Sequence, residues 1–137
     1  MINNTITSKL LDLFLRMLPK YVLRSFSNLG EITIIVSNKG IGTVLLFLKD
    51  HSHYQFKVLC DVTAVDYLNR TSRFEVVYNL ISIRYNTRIR VKTFLNELTS
   101  VDSVSSVFPS SNWYEREVWD LYGIWFNNHK DLRRILT

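Results

Sequence analysis

The strongest constraint on the fold is a strict alternation of side-chain types over residues 88–95. Apolar or β-branched residues alternate with basic or aromatic ones: Ile89, Val91, Thr93 and Leu95 against Arg88, Arg90, Lys92 and Phe94. Successive side chains of a β-strand point to opposite faces, so this pattern predicts a strand with one face packed inward. The other face is expected to contact water or a partner, which is typical of antiparallel sheets.

Three further segments favour strands. Residues 57–67 and Phe74–Ser82 precede the alternating strand and are separated from it and from each other by polar turns at 67–72 and 86–87. These two segments and the alternating strand at 88–95 together predict an antiparallel meander of three strands. Glu31–Val36 is mostly β-branched and predicts a fourth strand.

Helices are predicted around these strands, at residues 6–18, Ile41–Asp50 and 101–108. A fourth helix begins after Ser111 or Asn112, either of which can cap it, and ends at Gly123. We therefore expect an α+β fold, a mostly antiparallel sheet of about four strands covered by helices. With 137 residues, 47% of them hydrophobic, the chain predicts a single two-layer domain over 1–137.

Composition excludes several kinds of site. The single cysteine, Cys60, cannot supply the four thiolates of an ordinary iron–sulfur cluster and is expected to be a small buried thiol in a strand. His51 and His53 end a helical segment and are expected on the surface rather than on a metal. No metal, nucleotide fingerprint or nucleophile elbow is indicated, so we expect neither a cofactor nor catalytic residues on this chain.

The net charge of +5 permits two other interpretations. The basic strand, beside Tyr78 and Phe94, could form a stacking platform for RNA, although the usual RNA-recognition signature is absent. A contact between this basic face and an acidic neighbouring subunit fits the chain better. The basic N-terminal stretch fits either a mitochondrial targeting peptide or an amphipathic helix packed on the domain.

Residues 113–124, with the sequence WYEREVWDLYGI, place aromatics on several sides of a helix among charges of both signs. A structural helix normally has one apolar stripe. Glu117 and Asp120 are spaced to share a helix face, but Arg116 beside them favours a structural ion network over acid–base catalysis. This surface predicts a protein partner.

Four ordered motifs resemble one known family. They are the runs 73–80 (RFEVVYNL), 85–93 (YNTRIRVKT), 112–124 (NWYEREVWDLYGI) and 128–137 (NHKDLRRILT). Together they are similar to NADH dehydrogenase subunit 9, the 30 kDa subunit of respiratory complex I. The likeness covers roughly residues 57–137, the motif-bearing part of the domain.

The resemblance implies a core structural subunit of the peripheral arm of proton-translocating NADH:ubiquinone oxidoreductase. Such a subunit lies on the matrix side of the mitochondrial inner membrane, braces the large quinone-site subunit and contacts iron–sulfur subunits. It carries no redox centre, since FMN and the clusters belong to partner subunits. The resemblance also implies that the chain has no nucleic-acid partner and associates with the membrane only through the complex. The residues matching the family signature are expected at partner interfaces: Trp113, Glu115, Arg116, Glu117, Trp119, Asp120, His129, Asp131, Arg133 and Arg134.

The sequence departs from the family pattern in three ways. Leu68 and Lys130 replace prolines that the family usually has in two turns, and the family continues past Thr137 with a long tail. The tail is lost, encoded separately or replaced by another chain. A paralogue that has left the complex is a further interpretation of its absence.

Overall fold

Seven β-strands and two α-helices make up the part of the chain that this computed structural model describes, residues 20–28, 31–52 and 54–129. In chain order they are β1 (Val22–Asn28), β2 (Glu31–Val36), α1 (Ile41–Asp50), β3 (Val58–Asp66), β4 (Phe74–Ser82), β5 (Thr87–Leu95), β6 (Val101–Asp102), α2 (Ser111–Tyr122) and β7 (Phe126–Asn127). The fold is α+β, as predicted from the sequence.

The first five strands form one sheet in the order β1-β2-β5-β4-β3. β1 with β2, β5 with β4 and β4 with β3 are antiparallel, whereas β2 and β5 run parallel. The predicted meander of β3, β4 and β5 is confirmed. The sheet is one strand wider than the expected four, because β1 joins its outer side. β6 and β7 pair in parallel as a separate small sheet.

One face of the large sheet carries the hydrophobic core. Every second side chain of β5 is buried there, as the alternation predicted. Helix α1 adds its apolar stripe, and α2 adds Val118, to the same cluster of buried residues. The stripe of α1 consists of Ile41, Val44, Leu45 and Leu48. Sheet and helices thus form two layers around one core.

The opposite side of the sheet, called the second face below, is polar at its centre. Its side chains alternate with the core residues and include Arg90 and Lys92 of β5. Lys92 Nζ lies 2.8 Å from the carboxylate of Glu75, which is itself buried. Asn79 donates to Asp61 at 2.7 Å and accepts from Arg90 Nε at 3.2 Å. Hydrogen bonds therefore connect β3, β4 and β5 across this face.

The loop between β3 and β4 was predicted from its polar residues and is closed by hydrogen bonds. Tyr67 N–H donates to the carbonyl of Arg73 at 2.7 Å. The Arg73 guanidinium donates to both oxygens of Asp66, at 2.6 and 2.7 Å, and to Glu97 at 2.6 Å. One arginine therefore joins this loop to the loop that follows β5.

The predicted helix over 101–108 is wrong. Val101–Asp102 is a short strand paired with β7, and a single turn follows, in which Phe108 N–H donates to the carbonyl of Val104 at 2.8 Å. Buried residues recur at helical spacing here, at Val101, Val104 and Phe108, which explains the prediction. Pairing with a strand from the end of the chain replaces the helix.

Two other differences concern the N-terminal part. β1 was not predicted, because its sequence, VLRSFSN, lacks a clear alternation of apolar and polar residues. The predicted helix at 6–18 lies outside the described residues, as does His53. His51 is half-buried, with its ring 4.8 Å from that of Phe47, and Cys60 is half-buried in β3 rather than fully buried.

Candidate functional site: helix α2 and its surroundings

Helix α2 carries most of the predicted interface residues, and local signals fix its ends. It begins at Ser111 with Ser110 in the capping position, so neither predicted cap, Ser111 or Asn112, is correct, and no side-chain hydrogen bond closes this end. Gly123 ends the helix in the left-handed region at φ 74°, and its N–H donates to the carbonyl of Trp119 at 2.9 Å. Glycine adopts this conformation without steric strain, so the predicted C-terminal end is confirmed.

The inner face of α2 holds a buried carboxylate. Glu115 is fully buried, with Ser111 one turn before it and Val118 one turn after it on the same helix face. Ser103 Oγ donates to Glu115 Oε1 at 2.6 Å, and Val104 N–H donates to Oε2 at 2.9 Å. The carboxyl group therefore attaches α2 to the segment after β6.

Burial raises the pKa of Glu115 to about 7, and the hydrogen bonds from Ser103 and Val104 oppose part of that rise. Removing a carboxylate from water disfavours its charged form. The same desolvation raises the pKa of the buried Tyr78 well above its usual value, with the negative charges of Glu115 and Asp102 adding to the effect. Acidic side chains thus lie close together between β4, β6 and α2.

His129 completes this internal cluster. Its side chain is fully buried, and Nε2 lies 3.2 Å from the carbonyl oxygen of Asn112 and 3.7 Å from Glu115 Oε1. A carbonyl oxygen only accepts hydrogen bonds, so this contact requires Nε2 to carry a hydrogen. The imidazole thereby links the segment after β7 to the first turn of α2.

The outer face of α2 is exposed and aromatic. Trp113 is 56% exposed and Leu121, eight residues later on the same helix side, is 59% exposed. The guanidinium of Arg116 lies over the Trp113 ring, 5.1 Å from its centroid. Trp125, just after the helix, is 52% exposed. We call Trp113, Arg116, Leu121 and Trp125 the outer patch.

The ten predicted interface residues differ in accessibility. Trp113 and Glu117 are exposed, whereas Arg116, Trp119 and Asp120 are half-buried. Glu115 and His129 are internal, so the structure places them behind the surface on which they were predicted to contact a partner. Three others lie outside the described residues: Asp131, Arg133 and Arg134.

Sequence reasoning missed two members of the outer patch. Leu121 follows Trp113 by eight residues, a spacing that recurs on one broad face of a helix, and this periodicity could have identified it. Trp125 follows the helix end, where no periodicity predicts which way a side chain points. Tyr122, at the end of α2, lies edge-on to Phe74 with ring centroids 6.5 Å apart and stays partly exposed.

The proposed RNA platform loses one of its two aromatic side chains. Tyr78 is fully buried in the core, on the face of the sheet opposite to Arg88, Arg90 and Lys92. The basic side chains of β5 do share the second face, as the alternation predicted. An aromatic ring on the other side of the sheet cannot stack on a base bound there.

The described ranges lack two other features. Neither helix in these ranges is long and apolar enough to span a bilayer. The same residues contain no group of three or more histidine, cysteine, aspartate or glutamate side chains arranged to hold a metal ion.

The fold is shared with a chain of known structure. One chain in the structure of the membrane-bound sulfane sulfur reductase (MBS), an archaeal respiratory membrane complex, superposes with a TM-score of 0.82 over 95% of this chain and 75% of its own length. At 22% identity this similarity concerns the fold alone. The sequence model of the respiratory-chain NADH dehydrogenase 30 kDa subunit family matches residues 34–137, and the chain belongs to that family.

Curated relatives agree with this assignment. The chain is 51% identical over 123 residues to NADH-ubiquinone oxidoreductase subunit 9 of Reclinomonas americana, covering 90% of this chain and 60% of that protein. It is 53% identical over 120 residues to the mitochondrial NADH dehydrogenase [ubiquinone] iron-sulfur protein 3 of Candida albicans, covering 88% and 43% respectively. The chain thus spans about half the length of these relatives. The match to the family begins at residue 34, before the region recognised from motifs.

Proposed function

We propose that this chain is a structural subunit of the peripheral arm of proton-translocating NADH:ubiquinone oxidoreductase, on the matrix side of the mitochondrial inner membrane. It braces the large quinone-site subunit and the iron–sulfur subunits. The observation that carries the proposal is the family match over residues 34–137, which includes helix α2 and its exposed outer patch.

The outer patch has the chemistry of a binding surface. Tryptophan and arginine are enriched among residues that dominate binding energy at protein interfaces. Arg116 over Trp113 presents a flat guanidinium and an indole together, and Leu121 extends the apolar area along the helix. The internal Glu115–His129 cluster fixes the helix from behind, so little conformational freedom remains to be lost on binding.

The electron carriers are proposed to lie on partner subunits. Cys60 is the single cysteine of the chain, and an ordinary iron–sulfur cluster needs four thiolates. The raised pKa of Glu115 belongs to a carboxyl group enclosed by α2 and the segment after β6, and it has a structural role there. We therefore assign no catalytic residue to this chain.

The first test is a native gel of the source membranes, stained for NADH dehydrogenase activity and probed with an antibody to this chain. We expect the chain to migrate with the active band. If the chain were found only in small species and not in the active assembly, the proposed function would be excluded. That result would favour a paralogue that has left the complex.

The second test addresses the outer patch. Replacing Trp113 and Leu121 together by Ala should reduce incorporation into the complex at least about tenfold, because hot-spot residues contribute roughly 2 kcal/mol or more each. The matched control is Leu46→Ala, an exposed leucine on α1 away from the patch. If both variants assemble like the wild type, the outer patch is not an interface.

A further inference from the structure

The two edges of the large sheet are protected to different degrees. β3 forms one edge, and helix α2 packs against it. A bulge between Leu59 and Asp61 interrupts the regular pairing of β3 with β4, and Asp61 and Asp66 place charges along the strand. Packed helices, bulges and charged side chains are the devices that keep edge strands from pairing with other chains.

β1 forms the other edge and has little of this protection. Within the described ranges β1 pairs with β2 alone, and no loop or cap hydrogen bond involves the backbone of residues 22–28. Its own bulge lies at the start, between Val22 and Arg24, and pairing with β2 is regular from Arg24 to Asn28. The strand contains no proline and a single charged residue. Its outward N–H and C=O groups can therefore receive another strand.

The side chains of β1 also resemble a binding surface more than a solvated edge. Leu23 is 64% exposed and Phe26 is 41% exposed. Arg24 and Phe26 both lie on the second face, as their pairing with Ile35 and Thr33 shows. The Phe26 ring and the Arg24 guanidinium would therefore lie next to a strand added at this edge.

We propose that an extended segment of a partner subunit binds the outer edge of β1 as a sixth strand, with an acidic side chain beside Arg24 and an apolar one beside Phe26. This inference rests on the proposed function, which supplies the partner subunits. Main-chain hydrogen bonds would give such binding its affinity, and the alternating side chains its specificity.

The charge of the partner follows from the surroundings of Arg24. Lys92, two strands away on the same face, is paired with Glu75 at 2.8 Å, whereas no carboxylate in the described ranges forms an ion pair with Arg24. An acidic residue on the incoming strand would pair with this guanidinium, because cross-strand pairs of opposite charge stabilise a sheet.

The test is amide hydrogen exchange, measured by mass spectrometry on the full chain alone and in the complex purified from membranes. We expect exchange of the outward-facing amides within residues 24–28, those that do not donate to β2, to slow at least about tenfold on assembly, because newly paired strand amides are protected. Equal exchange in both states would overturn the proposal. Slow exchange of these outward-facing amides already in the isolated chain would also overturn it, since a second copy or the chain's own residues would then cover the edge.

A charge reversal tests the acidic partner directly. Arg24→Glu should reduce incorporation about tenfold or more relative to Arg84→Glu, which reverses another exposed arginine, in the turn after β4. Thermal unfolding of both isolated variants checks that they fold. Normal assembly of the Arg24 variant would reject the strand as proposed. If the wild-type chain were absent from the complex, the proposed function would fail instead.

Discussion

At the scale of single residues, the most informative side chain is Glu115. Its position in a charged, aromatic segment favoured a surface role, yet its carboxyl group is buried against Ser103 and Val104. The reason is its helical spacing with Ser111 and Val118, which puts all three on the inner face of α2. Charge alone does not tell which carboxylates a protein turns inward.

Replacing Glu115 by Gln should change how stability depends on pH. Burial raises the pKa of Glu115 from 4.5 to about 7, so the folded chain binds this proton more tightly than the unfolded chain. The resulting stabilisation is complete below pH 4.5 and is lost as the pH rises through about 7. Its size is roughly 3 kcal/mol.

Urea unfolding at about pH 5 and about pH 7.5 measures this contribution. The free energy of unfolding of Glu115→Gln should fall less between the two pH values than that of the wild type. Glu117→Gln, which alters an exposed carboxylate two positions away, should behave like the wild type. Identical pH dependence in all three proteins would show that Glu115 has an ordinary pKa.

Thr93 provides a second prediction at this scale. Its side chain is fully buried, and Oγ1 has no hydrogen-bond partner in the part of the chain that the structure describes. Thr93→Val keeps the shape and removes the unpaired hydroxyl, so the free energy of unfolding should rise by about 1 kcal/mol. Denaturant titration measures it, with Thr63→Val at an exposed position of β3 as the control. A loss of stability in Thr93→Val would mean that the hydroxyl has a partner.

At the scale of secondary-structure elements, local signals predicted β4, β5, α1 and the end of α2. These signals act through the backbone of the element itself: alternation, an apolar stripe, or a glycine in the left-handed region. The segment 101–108 shows the limit of this reasoning. Its spacing of buried residues suits a helix, but pairing with β7 decides its conformation.

Gly123→Ala should destabilise the protein by about 1 kcal/mol, because an L-residue is strained at φ 74°. A Cβ atom there would meet nothing within 4 Å, so the cost is one of backbone conformation alone. Gly42→Ala is the matched control: its site is equally open, but it lies in α1 with an ordinary φ. We expect Gly42→Ala to keep or slightly raise the free energy of unfolding in denaturant. Equal effects of the two changes would contradict the left-handed conformation at 123.

At the scale of the whole molecule, one buried cluster joins both helices to all the inner strands of the sheet. The parallel pairing of β2 with β5 holds this cluster together. It joins two strands that are separated in the chain by α1, β3 and β4. The domain should therefore unfold as one unit, with the outer patch and the edge of β1 held on a common rigid core.

Ile34→Ala tests this cooperativity. Ile34 is fully buried at the centre of β2, and its truncation should cost roughly 2–5 kcal/mol. Tryptophan fluorescence, which reports on α2 and its surroundings, and circular dichroism should shift to the same lower denaturant midpoint. Leu46→Ala at an exposed position of α1 should shift neither by much. Separate midpoints for the two signals would show that α2 unfolds independently of the sheet.

The sequence by itself determined the α+β class, the three-strand meander, the helix that ends at Gly123 and the family to which the chain belongs. These depend on periodicities and motifs that are local in the chain. The tertiary structure alone decided the parallel crossover of β2 to β5, the addition of β1, and the burial of Glu115 and His129 while Trp113 stays exposed. Each of these depends on contacts between residues far apart in sequence, and the pattern of any one segment does not contain its partners.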